Sequence, residues 1–268
     1  MFRRHAAIVA AAVLVGSLAA APQTASAAPA PYLMLQVRLT GGFVPQQWLF
    51  NRVPTVAVYS DGNVYSSNVV TTMNYPGPAA PQLLRKMAKA DLTRIMQAAA
   101  TAKVTDSKFD FGMPPVADAP DTEITWRLSQ GGPTFTRSIY ALGIDGFGLR
   151  EDQVTARQQA QKFIDDLSSF SGTLIRTKSM PTPWVSSRWV YQAEPSLPDP
   201  MSVVRNWVGP TLTKPVMCGE LTSSQNSRLR ALMPKLNQAS RWLSNKQIWQ
   251  VRLRPLLPHE TGCDDIFR

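Results

Sequence analysis

The chain holds two cysteines, Cys218 and Cys263, and its clearest helix and strand signals lie between them. A bond between these cysteines would tie the start of a helix to the exit of a strand. No other feature restricts the last third of the chain so strongly. Thr222-Ser223-Ser224-Gln225 reads as a capping box, in which a hydroxyl accepts from the third helical amide and the glutamine reaches back. Leu229, Leu232, Met233, Leu236, Ala239 and Leu243 recur at helical spacing, predicting one buried face that Pro234 kinks or splits and Ser244-Asn245 ends. Trp249, Val251 and Leu253 then alternate with Gln250, Arg252 and Arg254, the period of a half-buried strand. Pro255 and Pro258 close it. The tryptophan face should enter the core and the arginine face should be wet.

The pair has three readings: a disulfide, two free thiols or part of a metal site. Without a CxxC or a paired histidine it makes a poor zinc site. The N-terminus favours the disulfide. Residues 1–27 read as a cleaved secretory leader, with basic Phe2-Arg3-Arg4-His5, an apolar run from Ala6 to Ala21, and Ala25-Ser26-Ala27 as an A-x-A site. Export to an oxidising space with an even cysteine count predicts a Cys218–Cys263 bond. No later stretch is apolar enough for a membrane span, and no transmembrane anchor is expected.

Removing 27 of the 268 residues leaves 241, enough for a sizeable core. Charge divides unevenly. Residues 28–175 carry 13 basic and 12 acidic groups, residues 176–268 carry 13 and 6, so net charge is +1 against +7. Five of the seven tryptophans also lie in the second part.

The first part reads as hairpin, helix, hairpin, helix. Val56 and Val58 lead into Ser60-Asp61-Gly62-Asn63, where Asp-Gly suggests a type I′ turn. Leu84, Ala88, Leu92, Ile95 and Ala99 suggest an amphipathic helix. After a Pro- and Asp-rich loop, Ile124, Trp126 and Leu128 alternate as a strand. Gln130-Gly131-Gly132-Pro133 turns it, and Phe135 to Leu142 returns. Residues 151–170 form a second helix with Ala160, Phe163, Ile164 and Leu167 inward and Gly172 near its end. Residues 171–183 read as the boundary between the two parts, which are expected to form one continuous domain.

Chemistry-bearing motifs are sparse. Beyond the leader the one histidine is His259, in the Pro258-His259-Glu260 turn; it reads as a surface loop residue. Gly143-Ile144-Asp145-Gly146-Phe147-Gly148 lies between strand and helix, but its spacing fits turn geometry rather than a phosphate loop. Asp106, Asp110, Asp118, Asp121 and Glu123 could hold calcium or act as carboxylate catalysts, or simply form turns. No catalytic residue, cofactor or metal is assigned. The basic second part suits an anionic partner, with Arg252 and Arg254 as candidate contacts. Diffuse solvated charge is the competing explanation. Export argues for an anionic envelope polymer or another protein over intracellular nucleic acid.

Several segments resemble a family of secreted actinobacterial proteins with no assigned reaction or ligand. They are Gly41-Gly42-Phe43-Val44-Pro45, Tyr59-Ser60-Asp61-Gly62, the run from Phe111 to Pro120, Tyr140-Ala141-Leu142-Gly143, Cys218-Gly219, and Arg254-Pro255-Leu256-Leu257-Pro258 ending at Gly262-Cys263. The resemblance implies secretion, one continuous unit and a Cys218–Cys263 pair. The expected fold is α+β, with antiparallel hairpins on about three main helices and a disulfide-closed helix–strand unit at the C-terminus. The expected function is a secreted or envelope-associated binding protein. The alternatives are a hydrolase using the Asp106–Glu123 carboxylates and a protease-inhibitor-like module.

Overall fold

The computed structural model describes residues 30–67, 79, 81–144, 146–170, 174–197, 202–237 and 239–267. The expected leader and Gly172 lie outside them. From Pro31 onward the chain forms one compact unit. It is mixed α+β, with a seven-stranded and a five-stranded sheet.

The larger sheet begins with β1 (Leu33–Gly41) and continues through β2 (Val56–Tyr59), β3 (Asn63–Ser67) and β4 (Gln82–Lys86). Helix α1 (Gln46–Asn51) lies between β1 and β2, and α2 (Lys89–Thr101) follows β4. Then come β5 (Pro120–Trp126), β6 (Phe135–Tyr140), α3 (Glu151–Ser168) and β7 (Thr182–Trp184). The strand order is β6-β5-β1-β2-β3-β4-β7, antiparallel throughout.

Alternation decides the two faces of this sheet. Leu35, Val37, Val56, Val58, Ile124, Trp126 and Ile139 point to one side, where Leu92, Ile95 and Ala99 of α2 and Ala160, Phe163, Ile164 and Leu167 of α3 bury against them. Burying each large aliphatic side chain contributes roughly 1.5–3 kcal/mol. On the opposite face the sheet divides in half. Ala57, Tyr59 and Tyr65 pack on Leu257, whereas β1, β5 and β6 present Gln36, Arg38, Glu123, Thr125 and Thr136.

Two expectations for this region are corrected. The helix expected from Leu84 starts at Lys89, because Leu84 belongs to β4 and pairs with Tyr65. The Asp61-Gly62 hairpin is not type I′. Only Gly62 has positive φ (89°), and its amide donates to Tyr59 O at 2.9 Å, the signature of a three-residue loop with a glycine bulge.

Residues 174–184, at the expected boundary, are held to the first part. Buried Asp91 in the first turn of α2 accepts from the amides of Arg176 (3.1 Å) and Thr177 (3.0 Å), and also from the Thr177 hydroxyl and Arg94. Strand β7 then adds to the edge of β4.

The second sheet contains β8 (Trp189–Pro195), β9 (Val204–Asn206), β10 (Val216–Glu220), β11 (Arg241–Ser244) and β12 (Gln247–Pro255), in the order β10-β8-β12-β11-β9. Only the β9–β11 pair is parallel. Helix α4 (Ser223–Leu232) covers one face, where Leu229 joins Trp189, Trp242, Trp249 and Leu253 in one buried cluster. Its capping box forms as expected, Thr222 accepting from the Gln225 amide and Gln225 from the Thr222 amide. The helical reading beyond Pro234 fails. Met233–Lys235 forms a 3-10 turn, and Leu243, expected on the helix, lies in β11 with its side chain exposed. Proline removes the hydrogen bond that would continue the helix. Asn245-Lys246 then supplies a two-residue turn with both φ values positive (50° and 61°), a type I′ hairpin.

Cys218 and Cys263 are bonded, Cα–Cα 5.9 Å, across 45 residues. The bridge sits in a small cluster with Phe50 of α1, Val190 and Leu256. It thus joins the first part, the second sheet and the C-terminal segment.

Candidate functional site

The arginines singled out on β12 do not form a wet face. Arg254 is 3% exposed. Its guanidinium grips Glu260 through two bonds, Nη2–Oε1 2.6 Å and Nη1–Oε2 3.1 Å, and Nε donates to Arg52 O. Glu260 also accepts from the Leu257 amide at 2.7 Å. The physical reason is that the strand's second face is covered at this end by α1 and the C-terminal turn. A charge placed there is tolerated only when paired and hydrogen-bonded. Arg252, half-buried, pairs with Glu194 at 2.9 Å. Neither arginine offers a free cation.

His259 is likewise not a loose surface residue. Pinned beside Glu260, it is half-buried, with Nδ1 2.5 Å from Tyr59 Oη on β2. Burial pushes the imidazole below its ordinary value, against the pull of Glu260 and Asp265. Burial pushes the Tyr59 phenol up. Both groups are therefore uncharged at neutral pH, and the contact is a neutral hydrogen bond joining the C-terminal turn to the larger sheet.

The carboxylates between Asp106 and Glu123 are separately engaged. Asp106 caps a turn through the Lys108 amide at 3.0 Å. Asp110 accepts from the Gly112 amide and Gln153, each at 2.8 Å. Asp121 accepts from Ser138 at 2.7 Å, and Glu123 pairs with Arg38 at 2.6 Å. Asp118 occupies positive φ in its turn. Among the described residues no group of three or more metal-ligating side chains comes together. The Gly143–Gly148 stretch lies between β6 and α3, with positive φ at Gly143 and Gly148 and not at Gly146.

Cations outside ion pairs occur in both parts, but in the second part they outnumber the acids most sharply over one stretch. Arg205, Lys214, Arg228, Arg230, Lys235, Arg241 and Lys246 face a single acid, Glu220, within residues 203–247. None of the seven joins an ion pair among the described residues. Five of them are exposed: Lys214, Arg228, Arg230, Lys235 and Lys246. The backbone gathers several at one sheet edge. Leu212 donates to Ser244 Oγ at 2.9 Å, bringing the Lys214 loop to the Asn245-Lys246 turn, and Trp207 donates to Leu243 O beside it. Four of the six acids of the second part are occupied: Glu194 by Arg252, Glu260 by Arg254, Glu220 by the Cys263 amide and Asp265 by Thr261. No described helix is long and apolar enough to cross a membrane.

Comparison of the chain with protein-family models, curated proteins and solved structures finds no match.

Composition alone signalled the cation excess but not its position. Arg252 and Arg254 stood out because they alternate with large apolar residues, which marks a strand and not solvent access. A flag was present in the sequence: Glu260 lies six residues after Arg254, across a proline-bounded turn.

Proposed function

We propose that this chain is an exported protein of the cell envelope or surrounding medium that binds an anionic polymer and catalyses no reaction. The observation that carries this reading is the local charge excess of residues 203–247, seven cations against the single acid Glu220, none of the seven in an ion pair among the described residues. The leader-like residues 1–27 and the disulfide support export, since such bonds persist in oxidising compartments. Arginine and lysine on a fixed edge attract phosphate or carboxylate groups of a polymer, and ionic strength weakens the attraction because exposed charges are screened beyond about 8 Å at physiological salt.

The test uses protein recovered from culture filtrate, expected to begin at Ala28, on an immobilised polyanion eluted with a salt gradient. Arg205→Gln/Lys214→Gln/Lys246→Gln, which removes three cations from the β9–β11 edge, should elute at markedly lower salt than the parent. Lys86→Gln/Lys89→Gln/Lys108→Gln removes three cations from the first part and should shift elution little. Equal shifts would mean that net charge alone sets retention and would overturn the reading.

A further inference from the structure

The open half of the larger sheet forms a second candidate site that uses none of those seven cations. The C-terminal segment leans over the outward face of β1, β5 and β6 and encloses a cleft of about 660 Å³, within the ~300–1,000 Å³ of small-molecule sites. Its floor is laid out by strand register. Ala57, Gln36, Thr125 and Thr136 form one row across β2, β1, β5 and β6. Arg38 and Glu123 form the next row, while Arg127 and Thr134 close the floor on the other side. His259 and Asp265 stand in the wall.

Gln36 is the decisive residue. It is 6% exposed, it lines the cleft, and its Oε1 has no hydrogen-bond partner among the described residues. Buried polar atoms in folded proteins are almost always paired; Oε1 lies just beneath the cleft floor, and a turn of the Gln36 amide toward the cleft would bring it to a partner supplied from outside. Beside it the Thr125 and Thr136 hydroxyls lie 3.2 Å apart, each able to donate and accept.

We propose that this cleft binds a small uncharged saccharide, whose hydroxyls exchange hydrogen bonds with Thr125 and Thr136 and donate to Gln36 Oε1 once the Gln36 amide turns toward the cleft. Three observations select this ligand class. The ionised groups of the lining balance: Arg38 and Arg127 oppose Glu123 and Asp265, and Glu260 is taken by Arg254. A phosphate or carboxylate would meet no net attraction. The floor is a side-chain face and not a strand edge, so an extended peptide would find no backbone ladder to join. Tyr32 at the rim, its hydroxyl bonded to Leu128 O, offers a ring against which a sugar face can pack.

Saturation-transfer NMR and calorimetry on the chain from Ala28 to Arg268, with cellobiose, maltotriose and N,N′-diacetylchitobiose as probes, test the proposal. At least one should bind. Gln36→Met keeps the side-chain volume and removes the orphan oxygen. It should weaken that saccharide at least about tenfold while leaving the melting temperature equal or higher. Thr125→Val, the second variant, should weaken binding without unfolding the sheet, and it decides the matter if Gln36→Met destabilises the protein. Failure of all three saccharides to bind, unchanged affinity in both variants, or tighter binding of inorganic phosphate or trigalacturonate would overturn the proposal.

Discussion

At the scale of single residues, the C-terminal turn shows how position overrides type. Arg254 and His259, both polar, are drawn inward because a chain tethered at Cys263 folds back over β2 and β12. The buried imidazole makes stability depend on pH. Its folded value is depressed, so in the window below the ordinary imidazole value of about 6.5 the unfolded chain binds more protons than the folded one. Stability is fully present above that value and falls as pH drops through the window. Urea midpoints measured from pH 8 to pH 5 should therefore decline, and His259→Gln, which keeps a partner for Tyr59, should flatten the decline between about pH 6.5 and 5. A slope of the same size in the variant would mean that another group governs it. None of this was legible beforehand, since a lone histidine between proline and glutamate carries no local sign of what will cover it.

Elements were legible where period and punctuation agreed. The capping box of α4, the α3 face and the alternation in β12 all formed as expected. Strand β1 went unread although Leu33, Leu35, Val37 and Leu39 alternate with Met34, Gln36, Arg38 and Thr40. It pairs with both β2 and β5 and carries Gln36, so missing it hid the cleft. The misplaced helix beyond Pro234 has a different cause. Apolar residues three and four apart also fit a turn followed by a strand, and Pro234 was the stronger signal. The type I′ turn at Asn245-Lys246 gives an element-scale prediction. A non-glycine residue in the left-handed region costs roughly 1–2 kcal/mol, partly recovered in the entropy that glycine loses on folding. Lys246→Gly should stabilise the protein by about 0.5–1 kcal/mol and raise Tm by roughly 1–4 °C in a calorimetric scan. A lowered Tm would show that the turn does not hold Lys246 at positive φ.

At the scale of the whole molecule, the disulfide and the C-terminal ion pair fasten the two sheets through the same segment. Closing a 45-residue separation should contribute roughly 3–4 kcal/mol on a model-dependent entropic argument. Cys218→Ser/Cys263→Ser should lower the urea-derived unfolding free energy by about that amount, and unreduced wild-type protein should show no alkylatable thiol by mass spectrometry. An unchanged urea midpoint would mean that the bridge does not constrain the unfolded chain. The sequence by itself determined the local matters: the α+β class, the capped helix, the amphipathic faces, the cysteine pair and the surplus of cations. These follow from neighbours within a few residues or from composition. Only the tertiary structure decided that Arg254 is neutralised by Glu260, that His259 meets Tyr59 200 residues away, and that Gln36 lines a cleft with its buried Oε1 unpartnered among the described residues. Each of these depends on which strands lie side by side and which face the C-terminal segment covers. Alternation assigns a side chain to one face or the other of its strand, and packing alone settles which face is wet.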